Sequence, residues 1–252
     1  MNTKLSFIFL TIISFGYAQN NQQTVAKDSI QKLDEIIIST NVIFGNKFVA
    51  QNRTGSSYFI SPQELKKFGY TDINRILRNV PGVTLYEEDG FGLRPNISLR
   101  GTSPERSSKI TLMEDGVLIA PAPYSAPAAY YFPTVARMEA VEILKGSSQV
   151  QYGPFTTGGA INMVSTQIPN QFSANLSASY GSFNGSKLHA AIGDSKQNIA
   201  YMVEFLNYTS DGFKNLSNNA NTGFDKNDVV AKFRVNSNPE ARFNQSVEFK
   251  FQ

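Results

Sequence analysis

The residues of this 252-residue chain best equipped for chemistry are few and scattered. Glu87-Glu88-Asp89 sets three carboxylates side by side, the raw material of a hard-cation site or an acid/base pair. Placed immediately before Gly90, they read more simply as a solvated turn. His189 is the only histidine; it falls on the inward side of a strand with no second ligand nearby, so a metal role is not expected. Cysteine is absent, which removes disulfides, Cys-ligated zinc, iron–sulfur clusters, thiol nucleophiles and an acylated-Cys anchor together. There is no Walker loop, no Ser–His–Asp pattern and no dinucleotide fingerprint. The chain therefore reads as a non-enzyme without a cofactor or a metal site. A net charge of +3 with no Lys/Arg run gives no reason to expect nucleic acid as a partner.

The elements that would carry such residues change character along the chain. Lys4, the apolar stretch Leu5 to Phe15 and the small residues Gly16 and Ala18 form an export signal over residues 1–18, with cleavage expected after Ala18. The apolar run is too short for a transmembrane helix, and no other segment approaches one. Residues 19–45 are a flexible segment, opened by Gln19-Asn20-Asn21-Gln22-Gln23. Within it, Leu33-Asp34-Glu35-Ile36-Ile37-Ile38-Ser39-Thr40 is a strong β-former with no hairpin partner nearby. It is either the first strand of the next domain or a strand awaiting a partner's sheet edge.

From Tyr58 to about Ile168 the pattern is mixed α+β. Ser61-Pro62-Gln63-Glu64 is a capping box with proline in the first turn. A second helix is expected with Thr71 as cap, Ile73, Ile76, Leu77 and Val80 on one face, and Pro81-Gly82 as stop. Ile110 to Met113 and Val117 to Ile119 flank Asp115-Gly116, a two-residue hairpin signal. After Pro169 the period becomes two. Ala174, Leu176, Ala178 and Tyr180 form one apolar row, followed by Leu188, Ala190 and Ile192, then Ile199, Tyr201, Val203 and Phe205. Val229, Ala231, Phe233 and Val235 continue it, as do Val247, Phe249 and Phe251. Runs of this length, with short turns at Asp194 to Gln197 and Asn236 to Ala241 and a long polar loop at Ser210 to Asn227, suit a membrane β-barrel better than a soluble sandwich.

These residues carry a resemblance to the TonB-dependent outer-membrane receptors. Ile76-Leu77-Arg78-Asn79-Val80-Pro81-Gly82-Val83 is similar to the plug's L-x-x-x-P-G-V helix end, and Asn96-Ile97-Ser98-Leu99-Arg100-Gly101 to its I-x-I-R-G strand. Leu112 to Val117 is similar to L-x-D-G-V. Val141-Glu142-Ile143-Leu144-Lys145-Gly146 with Gln151-Tyr152-Gly153 resembles V-E-V-x-(R/K)-G … x-Y-G, and Gly158 to Asn162 resembles G-G-x-I-N. Asp34-Glu35-Ile36-Ile37-Ile38-Ser39 then looks like a TonB box. Arg94-Pro95-Asn96 and Ala122 to Pro127 point within the family to the ferric dicitrate branch.

The resemblance implies a TonB box at 33–40, a plug domain over 46–168, and over 169–252 the first five or so antiparallel strands of a barrel left incomplete in this chain. Five strands cannot close a barrel, so the chain by itself is expected not to insert stably. The implied function is outer-membrane uptake of a chelated iron compound, with TonB (and ExbB/ExbD) as partner and a lipid environment; the alternatives are import of another nutrient (cobalamin, sugar, peptide) by the same architecture, or a truncated, non-transporting fragment. Arg94, Arg106 and Tyr124 are the expected ligand residues for an anionic Fe(III) chelate, because guanidinium and hydroxyl groups suit it. Family position makes Arg100 and Lys145 the expected plug–barrel contacts, with the inward-facing Glu204 and Glu248 as candidate partners.

Overall fold

A computed structural model describes residues 42–53, 55–67, 71–119, 131–146, 151–153, 157–214, 216–217, 220–237 and 246–252. The export signal, Asp34 to Ser39, and Tyr124 with its neighbours 122–127 lie outside the described residues. All described residues fall within one compact unit, Ser39–Gln252.

Local chemistry sets the first elements. Helix α1 (Lys47–Asn52) starts where Asn46 Oδ1 accepts the Val49 N–H at 2.9 Å. Strand β1 (Ser56–Ile60) follows, then α2 (Pro62–Lys67). The capping box forms as expected: Ser61 N–H donates to Glu64 Oε2 at 2.8 Å and Glu64 N–H to Ser61 Oγ at 3.2 Å. The backbone bond from Ser61 outweighs partial burial and holds the Glu64 carboxyl below its usual range. Helix α3 (Ile73–Leu77) corrects one expectation. Its cap is Asp72, not Thr71, because the Asp72 carboxylate accepts the Asn74 N–H at 2.8 Å while the Thr71 hydroxyl turns to Tyr208 Oη at 3.2 Å.

Strands β2 (Val83–Tyr86) and β3 (Asn96–Leu99) pair as a small ladder. The larger sheet has the order β1-β6-β7-β4-β5, where β4 is Ile110–Glu114, β5 Val117–Leu118, β6 Met138–Lys145 and β7 Gly159–Ser165. Its pairs are antiparallel except β4 with β7. The β4–β5 turn is the expected Asp115-Gly116 pair, both at positive φ (50° and 78°), as a twist-matched two-residue turn requires. Both faces of this sheet are covered. Val141, Ile143, Ile161 and Leu112 pack with Ile73, Leu77 and Ile97 on one side. Alternation turns Ala140, Leu144, Ala160 and Val164 to the other, against Phe44, Ala50 and Phe59.

The remaining strands form a second five-stranded sheet, a fully antiparallel meander: β8 (Ser173–Gly181), β9 (Gly185–Lys196), β10 (Ile199–Ser210), β11 (Phe224–Asn236) and β12 (Ser246–Phe251). Here the usual polarity is inverted. Tyr201, Val203, Phe205, Val229, Phe233 and Phe249 stand exposed on one face, while Met202, Glu204, Leu206, Val230 and Lys232 are buried on the other. Such a sheet suits an apolar solvent outside and a polar filling inside. Among the described residues no helix is long and apolar enough to cross a membrane. The short turn is Gln197-Asn198, not Asp194 to Gln197, because β9 runs on to Lys196. The long connection is 211–223, shorter than Ser210 to Asn227 because β11 begins at Phe224; β8 and β9 are joined tightly through Ser182 to Asn184. The fold class is thus an α+β unit followed by antiparallel strands that do not close into a barrel.

Candidate functional site

The α+β unit meets the inner face of the meander along a buried seam of charges. Arg137 closes the short turn Val135–Arg137 ahead of β6, where Arg137 N–H donates to Thr134 O, and its side chain is 0% exposed. The guanidinium donates twice to Glu114 (Nη1–Oε1 2.6 Å, Nη2–Oε2 2.9 Å), to Tyr131 Oη at 2.8 Å, and through Nε to Asp228 of β11 at 3.3 Å. Thr134 Oγ1 also donates to Asp228. One hairpin residue further, Asp115 accepts from Ser165 N–H at 2.8 Å and from Lys250 Nζ of β12 at 2.7 Å, with Lys232 Nζ of β11 at 3.4 Å. Lys250 bridges to Glu114 at 2.5 Å. Arg137, Lys232 and Lys250 therefore balance Glu114, Asp115 and Asp228, which buried charges require.

Burial pushes the Glu114 carboxyl up, but hydrogen bonds and charge from Arg137 and Lys250 outweigh it and hold the group below the usual carboxylate range. Asp115 is lowered in the same way, against burial, by Lys232 and Lys250 and by its bond to Ser165. For Arg137 burial acts against the charge, yet Glu114, Tyr131 and Asp228 raise its pKa. Burial also raises the Tyr131 hydroxyl, leaving it a neutral donor and acceptor. Nearby, Glu204 of β10 takes hydrogen bonds from Thr166 Oγ1 at 2.9 Å and contacts His189 Nε2 at 2.7 Å. His189 thus faces inward, as its strand position predicts. Among the described residues no three of His, Asp and Glu gather in a way that could hold a metal ion.

A second contact is apolar. Phe91 lies edge-on to Phe213 (5.3 Å between centroids) and Phe224 (4.7 Å), and Tyr208 meets Phe224 at 4.8 Å. Gly90 sits at φ +81°, and a Cβ there would come within 2.6 Å of the Phe213 ring. Lys214 Nζ donates to Glu88 O at 3.0 Å. The loop beneath is organised by Asp89, whose carboxylate accepts the N–H groups of Phe91 (2.6 Å), Gly92 (2.7 Å) and Arg94 (2.9 Å). Glu87 pairs with Arg78 at 2.5 Å on the exposed side. The Asp89 carboxylate therefore serves the turn and that of Glu87 its rim.

Arg94 and Arg106 are both exposed and are brought close in the fold, since Arg106 N–H donates to Asn96 Oδ1 at 2.7 Å and Ser107 Oγ to Pro95 O at 3.0 Å. Arg100 and Lys145 are neighbours too: a Cβ at Gly146 would collide with the Arg100 guanidinium. Lys145 Nζ donates to Pro81 O at 2.7 Å, and burial, then the Arg100 charge, lowers its pKa. Among the described residues neither has a carboxylate partner, and Glu204 and Glu248 do not reach them. Geometry explains this. Lys145 ends the eight-residue β6 whose beginning abuts Arg137, roughly 25 Å of strand away at about 3.3 Å per residue. The seam residues Glu114, Asp115, Arg137, Asp228, Lys232 and Lys250 were not singled out from sequence. For Asp228, Lys232 and Lys250 the one signal is charge on the inward row of strands whose other row is apolar, since a charge facing a lumen filled by protein needs a partner; Glu114, Asp115 and Arg137 carry no such signal.

Comparison with known proteins gives the arrangement its context. Residues 49–160 match the family model of the TonB-dependent receptor plug domain. The structure is similar to the ferric citrate transporter FecA in its unliganded form, at 21% identity and a TM-score of 0.64, covering 82% of this chain and 32% of that one. The ferric yersiniabactin uptake receptor FyuA from Yersinia pestis matches at 22% identity and 0.64, over 80% and 32%. The siderophore receptor PirA from Pseudomonas aeruginosa matches at 17% and 0.56, over 79% and 34%. The chain spans about a third of the length of these structures, and at such identities the likeness carries the fold.

Proposed function

Starting from a chain that carries a TonB-dependent receptor plug domain and the first strands of the wall around it, we propose that it serves energised import of an iron chelate across the outer membrane. The observation that carries this reading is the seam: a folded plug is held to the inner face of an outwardly apolar sheet by charges and hydrogen bonds. A contact of that kind specifies one docked position and can be exchanged for water when the plug is drawn away. An apolar interface of equal size would resist release more strongly.

In this reading the signal over residues 1–18 directs export, and the meander lies in lipid with Tyr201, Phe205 and Phe233 outward. Asp34-Glu35-Ile36-Ile37-Ile38-Ser39 is the TonB box, adding as a strand to TonB, which ExbB and ExbD energise from the proton-motive force. The ligand is an anionic Fe(III) chelate received by the exposed Arg94 and Arg106 together with Tyr124. Ferric citrate is the specific expectation, motivated by Arg94-Pro95-Asn96 and the segment 122–127. The ferric citrate and ferric yersiniabactin structures match equally well, so the ligand rests on those residues and not on the fold.

Growth of the host on ferric citrate as sole iron source tests the ligand. Disrupting the gene should abolish that growth, and unchanged growth would remove citrate from the proposal. In a full-length version with a closed barrel, deleting Asp34 to Ser39 should stop uptake while chelate binding persists; uptake at the parental rate would refute the TonB-box assignment.

A further inference from the structure

We propose that Glu142 and Asn162 couple the segment entering the plug at residues 43–45 to the charged seam, so that loosening either end loosens the other. The proposal rests on the reading that a partner draws on the chain preceding Val42.

The layer formed by Ala140, Leu144, Ala160 and Val164 against Phe44, Ala50 and Phe59 is apolar except at its centre. There Glu142 of β6 and Asn162 of β7 stand directly opposite each other, both 0% exposed. Strand propensity calls for neither residue type at such a place. A carboxylate buried there must be bound by donors, and Glu142 is. Its Oε1 accepts the N–H groups of Phe44 (2.7 Å) and Gly45 (2.9 Å), and its Oε2 accepts Ile43 N–H (2.6 Å) and Asn162 Nδ2 (2.8 Å). Three consecutive backbone amides thus close on one carboxylate, which pins the entering chain to the middle of the sheet.

Asn162 carries the contact onward. Its Oδ1 accepts the Gly116 N–H at 2.9 Å, fixing the turn whose other residue is Asp115. Asp115 in turn holds Lys250 at 2.7 Å and Ser165 N–H at 2.8 Å. An unbroken run of hydrogen bonds therefore leads from Ile43 through Glu142, Asn162 and the Asp115-Gly116 turn to β12 of the wall. Losing one link leaves its neighbour buried and unsatisfied, so the links favour being made or broken together. Coupling of this kind is reciprocal.

Amide exchange followed by mass spectrometry, on the whole chain in detergent micelles, tests this without ligand or partner. Glu142→Gln places an NH2 group where one oxygen accepted. Exchange at residues 43–45 should rise about tenfold or more, and exchange at Gly116 and Ser165 should rise with it. Asp115→Asn should raise exchange at 43–45, the reciprocal effect. In an Asn162→Leu background, adding Glu142→Gln should leave Ser165 unchanged. An increase confined to residues 43–45 in Glu142→Gln, or an unaltered 43–45 in Asp115→Asn, overturns the coupling. Slow exchange at Val141 and Ile143 marks a folded plug; if Glu142→Gln loses it, Glu142→Asp keeps the charge, shortens the reach and is read against the same two outcomes. Because the resting chain is measured, a failed import assay leaves this result standing, and a failed coupling leaves the import reading standing.

Discussion

Two of the contacts that join the plug to the wall are chemical opposites. At the seam, Arg137, Lys232 and Lys250 meet Glu114, Asp115 and Asp228 in a buried, charge-balanced cluster. At the clasp, Phe91 inserts among Phe213 and Phe224 beside the loop that carries Arg94. The first is directional and intolerant of losing a member; the second is apolar and joins two loop residues, Phe91 and Phe213, to the start of β11.

The largest expected effect separates them. Arg137→Met takes the cation from buried Asp228 and leaves Glu114 with Lys250 alone, and removing one partner from a buried pair costs about 3–5 kcal/mol. Denaturant unfolding followed by exchange at β4 should show that loss, whereas a change below about 1 kcal/mol would mean the cluster is already wet. Acid comes next. Both Glu114 and Asp115 have pKa values held below the usual carboxylate range, so the stability they contribute is fully present above that range. It is lost only as pH falls through their lowered values in the folded protein, so the seam should hold through the usual carboxylate range and fail only below it. The clasp should not respond, and fluorescence quenching between labels at the flanking exposed positions Glu88 and Asp211 would check that. Phe91→Ala should cost about 1–2 kcal/mol through the loss of two edge-on ring contacts, leaving the acid midpoint in place; a shifted midpoint would show that the two contacts are one. Arg78→Ala, at an exposed pair with Glu87, should change stability by at most about 0.5 kcal/mol.

What could be read from sequence was local or periodic. The Ser61–Glu64 box and the Asp115-Gly116 turn are fixed within four residues, and the alternation that exposes Val203 and Phe205 while burying Met202 and Glu204 repeats along each strand. The Asp72 cap was missed by one residue because Thr71 and Asp72 are both good caps, and a tertiary bond to Tyr208 decided between them. The seam was illegible for a different reason. Glu114 and Asp115 read as turn residues and Lys232 and Lys250 as lumen polarity; only the docking of one sheet on the other makes them partners. Glu142 and Asn162 were visible as members of strand motifs, but their role depends on a chain segment about a hundred residues away in sequence (|i−j| up to 99).

The central claim, a plug drawn from its wall by its N-terminal segment, is most directly tested by one thiol. The chain has no cysteine, and Leu206, 0% exposed on the inner face opposite Asp228, offers a silent position. With Leu206→Cys in a full-length version whose barrel closes, in energised cells given ferric citrate, maleimide labelling should proceed at least about tenfold faster than in unenergised cells, in line with a thiol moving from buried to open. Deleting Asp34 to Ser39 should return it to the slow rate. Labelling that is equally slow with and without energy, or equally fast after the deletion, would contradict the account.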